Sequence, residues 1–344
     1  MISLLQQLIA IPSLSRDEGA VADFLEAWLT EAGWAPHRCG NNLWCSAGEG
    51  PAVLLDAHID TVKPVSGWTR DPFSPSLEEG RLYGLGSNDD GASLVALIDA
   101  FRRLSAKPQP YTLVLSLSAE EETSGRNGLE ISLPSIEAAC GPVTFGVFGE
   151  PTSLEMAVAE KGLMVLDCMV SGVAGHAARD TGVNAIYQAL PAIGWFREKR
   201  FPKLSPLLGP VKMTVTQIQA GTQHNVIPDT CTFVVDVRSN GLYTNEELLA
   251  LIQAEAPCQV TARSTRLCGS SIAEDHPLVL RARQLGIPTV GSPTLSNQAL
   301  CRFPSVKIGP GNSNRSHSAD EYVEVADLAK ASDLYVKLLD GLKV

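Results

Sequence analysis

Through residue 150 the apolar pattern switches repeatedly between the helical and the strand period, which limits the chain to few architectures. A helical repeat over 20–30 is followed by a strand-like run over 53–57, a helix over 92–104, and two more strands over 112–118 and 144–149. That order predicts an α/β fold with a mostly parallel sheet flanked by helices, because parallel neighbours need a crossover that a helix supplies. In open sheets of this kind ligands bind beyond the carboxyl ends of the strands. His58 follows the first strand, Glu120-Glu121-Glu122 the second and Glu150 the third, so the suspected functional residues share one sheet edge.

From Lys161 the pattern changes to strand 163–170, helix 184–197, strands 211–218 and 230–237, helix 245–254 and strand 259–267. This β-α-β-β-α-β order is that of a ferredoxin-like unit. At 344 residues the chain exceeds the ~250–300 at which one core tends to split, so two domains are expected. The predicted boundaries are 1–160 and 268–344 for a catalytic domain in two parts, with 161–267 inserted between them. The last part closes on a helix over 325–342, and it must rejoin the first if His317 belongs to the same site.

Acids outnumber Lys and Arg 38 to 27, a net charge of −11 that disfavours nucleic acid and anionic membrane as partners. Leu4, Leu5, Leu8 and Ile9 repeat at helical spacing without a basic leader, and the start reads as an amphipathic helix rather than a signal peptide. No apolar run approaches the ~20 residues needed to span a bilayer. The eight cysteines include no C-x-x-C pair, and some, such as Cys168 and Cys231, lie in apolar strands. They read as reduced residues of a cytoplasmic protein.

Asp60, Asp89, Glu121, Glu122 and Glu150 at one edge would bring several like charges close together, which costs energy unless protons or cations compensate. Two divalent cations would do so; a pair of zinc ions ~3.5–4 Å apart accepts histidine nitrogen, carboxylate oxygen and a bridging water. Taken singly, each piece is an ordinary strand end or loop acid. Their joint placement carries the chemistry.

The motifs resemble those of the two-zinc amidohydrolases that include acetylornithine deacetylase, succinyl-diaminopimelate desuccinylase, aminoacylase and carboxypeptidase G. The matching elements, in order, are His58-Ile59-Asp60-Thr61-Val62, Gly84-Leu85-Gly86-Ser87-Asn88-Asp89, Glu121-Glu122-Thr123-Ser124-Gly125, Gly149-Glu150-Pro151 and Gly309-Pro310-Gly311 with His317. The resemblance implies that His58 and Glu150 hold one zinc, that Glu122 and His317 hold the other, and that Asp89 bridges them, with cobalt or manganese as other possible occupants. It implies Glu121 as general base and the inserted domain as a lid and homodimer interface. Asp60, two residues after His58 on an extended segment, is expected to orient the imidazole. Asp90 is expected to cap the helix that follows it.

In the inserted domain, Gly175-His176-Ala177 resembles the segment whose histidine reaches the partner's active site and stabilises an oxyanion. Asn225 and Arg238 resemble substrate contacts, as does Gly311 in the late glycine motif. Arg238 suits a substrate carboxylate, with pairing to Asp236 as the structural alternative. The segments 61–68 and 313–321 look most like bacterial acetylornithine deacetylases, which points to hydrolysis of an Nα-acyl amino acid, first Nα-acetyl-L-ornithine. Succinylornithine and acetylcitrulline are close variants. Asn297 stands where relatives often carry an aspartate, a departure that would weaken recognition of a cationic side chain if that position touches substrate. Outside this substrate class the alternatives are a metallo-dipeptidase or aminopeptidase and, from another class, a non-catalytic binding protein on the same fold.

Overall fold

The computed structural model describes residues 1–179 and 181–343. It divides into two compact units, one formed by Met1–Val158, Ser271–Val290 and Ser296–Val344, the other by Ala159–Ser270 with Gly291–Leu295. The short return of 291–295 to the second unit is a feature that a single-insertion reading does not contain.

In the larger unit the strands Thr112–Ser118, Ala52–His58, Val143–Phe148 and Ser305–Lys307 lie side by side and run parallel. Asn42–Ala47 and His37–Cys39 extend this sheet antiparallel beyond Thr112–Ser118. Every residue of Ala52–His58 and of Thr112–Ser118 is buried, as expected for central strands covered on both faces. Successive side chains go to opposite faces. Val53, Leu55 and Ala57 join the core beneath the helices Gly91–Ser105 and Val325–Leu339, whereas Ala52 and Leu54 pack on the other face with Leu129 and Ile136 of the helix Leu129–Cys140.

Most expected elements are present with ends shifted by one to three residues: the helix expected over 20–30 spans Gly19–Glu31, and the final helix stops at Leu339. Three short strands, Ser76–Glu78, Arg81–Tyr83 and Tyr322–Glu324, form a separate antiparallel sheet that the sequence pattern did not announce.

In the second unit the strands Lys212–Ala220, Thr230–Ser239, Gly162–Ser171 and Gln259–Ala262 form an antiparallel sheet in that order. Its helices are Ala185–Glu198 and Asn245–Glu255, which gives the β-α-β-β-α-β succession with a last strand shorter than expected. Met164, Leu166, Cys168 and Val170 alternate with Leu163, Val165, Asp167 and Met169, and the first set packs against both helices with Phe233 and Val235. Among the described residues, no helix is long and apolar enough to cross a membrane.

Candidate metal centre

The parallel register delivers the site. Ala52–His58 ends on the imidazole, opposite Ser118 at the end of its neighbour, and the chain beyond Ser118 turns at once into Glu121–Thr123. That turn lies between Glu120 (φ 55°) and Ser124 (φ 45°), both left-handed and neither glycine. Such residues cost energy and persist where their surroundings hold them. Here the backbone N–H groups of Glu121 and Glu122 donate to Asp60 Oδ1 and Oδ2 at 3.0 and 3.1 Å, and Ser15 Oγ donates to Oδ2 at 2.6 Å. Glu120 turns its carboxylate inward to accept from Asn127, and a Cβ on Gly125 would fall 1.8 Å from Glu120 Oε2. The glycine at 125 therefore makes room for Glu120.

His58 is buried. Its Nδ1 lies 2.8 Å from the carbonyl of Asp60, which can only accept, so Nδ1 carries the proton and Nε2 faces Asp89 Oδ1 at 3.2 Å. Asp60 meets the imidazole with both of its groups: its carbonyl is the nearest partner of Nδ1, its carboxylate stands at 3.4 Å and favours the charged ring, and the same carboxylate accepts from the Glu121–Glu122 turn. His317, itself left-handed at φ 58°, places Nε2 2.9 Å from Glu122 Oε2 and 3.8 Å from Asp89 Oδ2. Asp89 thus presents one oxygen to each histidine. Donor atoms of His58, Asp89 and Glu122 lie within 4.8 Å of one another, a group that can hold a metal ion.

The electrostatics test whether cations suit the site. Burial pushes Glu121 and Glu150 well above the usual carboxylate range, with neighbouring acids adding to the effect and His58 or Lys307 opposing it. Burial would also raise Asp89, but the hydrogen bond and charge of His58 outweigh it and hold the carboxyl low. Burial disfavours charge on His58, yet Asp60, Asp89 and Glu121 hold its pKa well above the ordinary value. These are the signs of a buried acid cluster lacking positive charge, and bound divalent cations reverse this local logic. The donor set is imidazole nitrogen and carboxylate oxygen, which suits such ions. Residues and metal fit.

Several expectations change. Asp90 precedes the helix Gly91–Ser105 but makes no capping hydrogen bond; its carboxylate is buried, and burial, reinforced by Glu150 and Asp89 against the opposing charge of His58, raises it far above the ordinary range. Gly311, expected at the substrate, is buried at φ 83°, its carbonyl accepts from Ser153, and a Cβ there would lie 2.4 Å from Asn88 Oδ1. Backbone conformation and close packing account for that glycine. In the second unit Arg238 makes the alternative pair, donating through Nε and Nη2 to Asp236 at 2.9 and 3.1 Å. Asn225 and His176 do come together: the pair Gly175–His176 and Val226–Ile227 forms a small ribbon, and Asn225 O accepts from Ala177. Ala178 N–H donates to His176 Nδ1 at 3.1 Å, so neutral His176 carries its proton on an exposed Nε2.

Asn297 is buried in the larger unit, donating to Ser118 Oγ at 2.9 Å and Asp56 Oδ2 at 3.3 Å; Ser118 is the register partner of His58, and Asp56 lies two residues before that histidine. Its role there is internal, which removes the basis for reading the missing acid as a lost substrate contact. Asn297→Asp would set a second carboxylate against Asp56 and is expected to cost about 1–3 kcal/mol of stability at pH 8, read by urea unfolding; an unchanged midpoint would contradict the role given to the amide.

Sequence reasoning also missed Glu321. It is 2% exposed, and burial together with the charge of Asp89 raises its carboxyl to about 8 although three backbone N–H groups donate to it.

A family model for peptidase family M20/M25/M40 matches residues 54–341, most of the chain. The chain belongs to this family. Acetylornithine deacetylase of Proteus mirabilis (strain HI4320) is 29% identical over 377 residues, covering 99% of this chain and 96% of that protein. Succinyl-diaminopimelate desuccinylase of Stenotrophomonas maltophilia (strain K279a) is 29% identical over 374 residues, covering 100% and 99%. Among solved structures, a tripeptidase from Staphylococcus aureus superposes with a TM-score of 0.80 at 18% identity, covering 98% of this chain and 96% of that one. A dinuclear metal-binding M20 peptidase from Bacillus subtilis does so at 0.74 and 18%, with coverage of 98% and 96%. The M20 chain described here is accordingly a hydrolase, and the sheet edge that carries His58, Asp89 and Glu122 is its candidate metal centre.

Proposed function

We propose that this M20 enzyme hydrolyses the amide bond of an Nα-acyl amino acid, with two divalent cations, zinc first, held by His58, Asp89, Glu122, Glu150 and His317. The observation that carries this reading is Asp89, which offers Oδ1 to His58 and Oδ2 to His317 amid acids whose charge is otherwise uncompensated. Bound there, the ions would acidify a water and polarise an acyl carbonyl.

The chain's own residues supply the rest. Glu121, on a turn fixed by Asp60, accepts the proton of the attacking water and returns it to the departing amine nitrogen, so that amide and water become carboxylate and amine. A general base is most effective when its pKa lies near the working pH, and burial moves Glu121 in that direction. His176 Nε2–H, contributed by a second copy of the chain, would stabilise the oxyanion. In support of a dimer through the second unit, Tyr187 and Leu190 on the helix Ala185–Glu198 and Ile218 on the strand Lys212–Ala220 leave 68%, 60% and 54% of their surfaces exposed. Sedimentation of the intact protein is expected to give twice the chain mass, and a monomer at micromolar concentration would remove His176 from the mechanism.

For substrate, the reading is Nα-acetyl-L-ornithine, supported by the deacetylase relative and by the segments 61–68 and 313–321. N-succinyl and N-acetylcitrulline substrates come next, and the family's peptidase name places free dipeptides in the same panel. Steady-state rates on acetylornithine, succinylornithine, succinyl-diaminopimelate, acetylcitrulline and a dipeptide are expected to rank acetylornithine first by kcat/KM. No turnover of acetylornithine beside clear turnover of another member would reassign the substrate and leave the chemistry intact.

A further inference from the structure

Asp89 and His317 come from loops more than two hundred residues apart in sequence, and something must hold them in register. Glu321 Oε1 accepts the backbone N–H of Asn88 and of Asp89, both at 2.9 Å, while Oε2 accepts that of Gly86 at 3.2 Å. Its own carbonyl accepts Gly84 N–H at 3.0 Å. Four backbone donors of one six-residue loop thus end on a single residue.

Glu321 stands four residues after His317 and leads directly into the strand Tyr322–Glu324, whose Tyr322 pairs with Tyr83 at the entrance to that same loop. A further tie runs the other way. Asn88 Oδ1 accepts from Asn312 N–H at 2.8 Å, and its Nδ2 donates to Asn312 O at 3.2 Å and Ser316 Oγ at 3.3 Å.

From this geometry we infer that Glu321 is a positioning residue, which sets Asp89 against His317 so that one carboxylate can serve both metal positions. Burying an acid is costly unless it is hydrogen-bonded, and these partners are all N–H donors of the Asp89 loop. A carboxylate offers acceptors on both oxygens. Glutamine offers one acceptor oxygen and an NH2 that would face a donor, so it preserves the shape and spoils part of the network. The partners of a ligand tune metal affinity, and their loss typically weakens it about 10–100-fold.

The inference rests on the reading of Asp89 as a metal ligand, and the test separates the two. Metal-free protein is titrated with Co2+ by calorimetry and by the visible ligand-field absorption, for the native chain and for Glu321→Gln and Glu321→Ala. The native chain is expected to bind two ions. Glu321→Gln should stay folded by circular dichroism, bind one of them about 10–100-fold more weakly with an altered Co2+ spectrum, and lose kcat with KM little changed; Glu321→Ala should do the same more severely. If the native chain binds no ion, the metal reading fails. If it binds two, and the folded fraction of Glu321→Gln binds both with native affinity and native spectrum, Glu321 only supports the fold and the inference is overturned.

Discussion

Replacing Glu121 with glutamine is expected to lower kcat by about 10²–10⁴-fold, the range attributed to a positioned general base, while leaving metal content at the native level. Glutamine keeps the volume of the side chain and the backbone N–H that reaches Asp60, so the turn should survive the change. What disappears is a buried carboxyl, raised by burial well above the usual carboxylate range, that can take up a proton and release it again. Glu122→Gln, one residue on, should behave differently: its carboxylate meets His317 at 2.9 Å and belongs to the group proposed to hold the metal, so its loss should also weaken metal binding. The contrast is read by elemental analysis beside steady-state kinetics. Glu121→Gln with turnover within tenfold of native, or with its metal gone, would take the base role away from Glu121.

Removing the metal should destabilise the larger unit, and the loss should grow as pH rises. A ligand that binds only the folded state stabilises it by about 2.7 kcal/mol at one hundred times its Kd and about 4.1 at one thousand times, so chelation should lower the thermal midpoint by the corresponding amount. In the metal-free state Glu121, Glu150 and His58 have folded pKa values above their unfolded ones. The folded chain then binds more protons than the unfolded chain, and stability falls with increasing pH from about 5 upward. Asp89 and Asp60 are shifted low and affect stability only at acid pH, where it falls as they take up protons. Differential scanning calorimetry of chelated and reloaded protein between pH 5 and 8 checks this. The gap between the two forms should widen with pH; a constant gap, or none, would mean that the acids are not what the cations compensate.

The sheet was legible in the sequence because its central strands are continuously apolar and its helices are amphipathic, both strong periodic signals. Ser76–Glu78, Arg81–Tyr83 and Tyr322–Glu324 were not, since three residues cannot display a period and their pairing joins positions far apart in the chain. The candidate ligands stood out by residue type at strand ends. The residues packed around them did not: Glu321 contacts Asp89 N–H, 232 residues before it, and Asn297 contacts Ser118 Oγ, 179 residues before it, and no local pattern marks such contacts. Asp90 shows the opposite failure. Its position before a helix suits a cap, but burial beside other acids, rather than local preference, decides where its carboxylate goes. For Arg238 the sequence offers both a substrate carboxylate and Asp236, two residues away on the same face of a strand, and the structure shows the pair with Asp236.

Whether this sheet edge is a two-metal site for amide hydrolysis is decided by the release of acetate from acetylated amino acids as Zn2+ is added stepwise to metal-free protein. Release is expected to be negligible without metal, to rise with each addition and to reach a plateau at two ions per chain. Release independent of added metal, or none from any acyl amino acid at two bound ions, would contradict it.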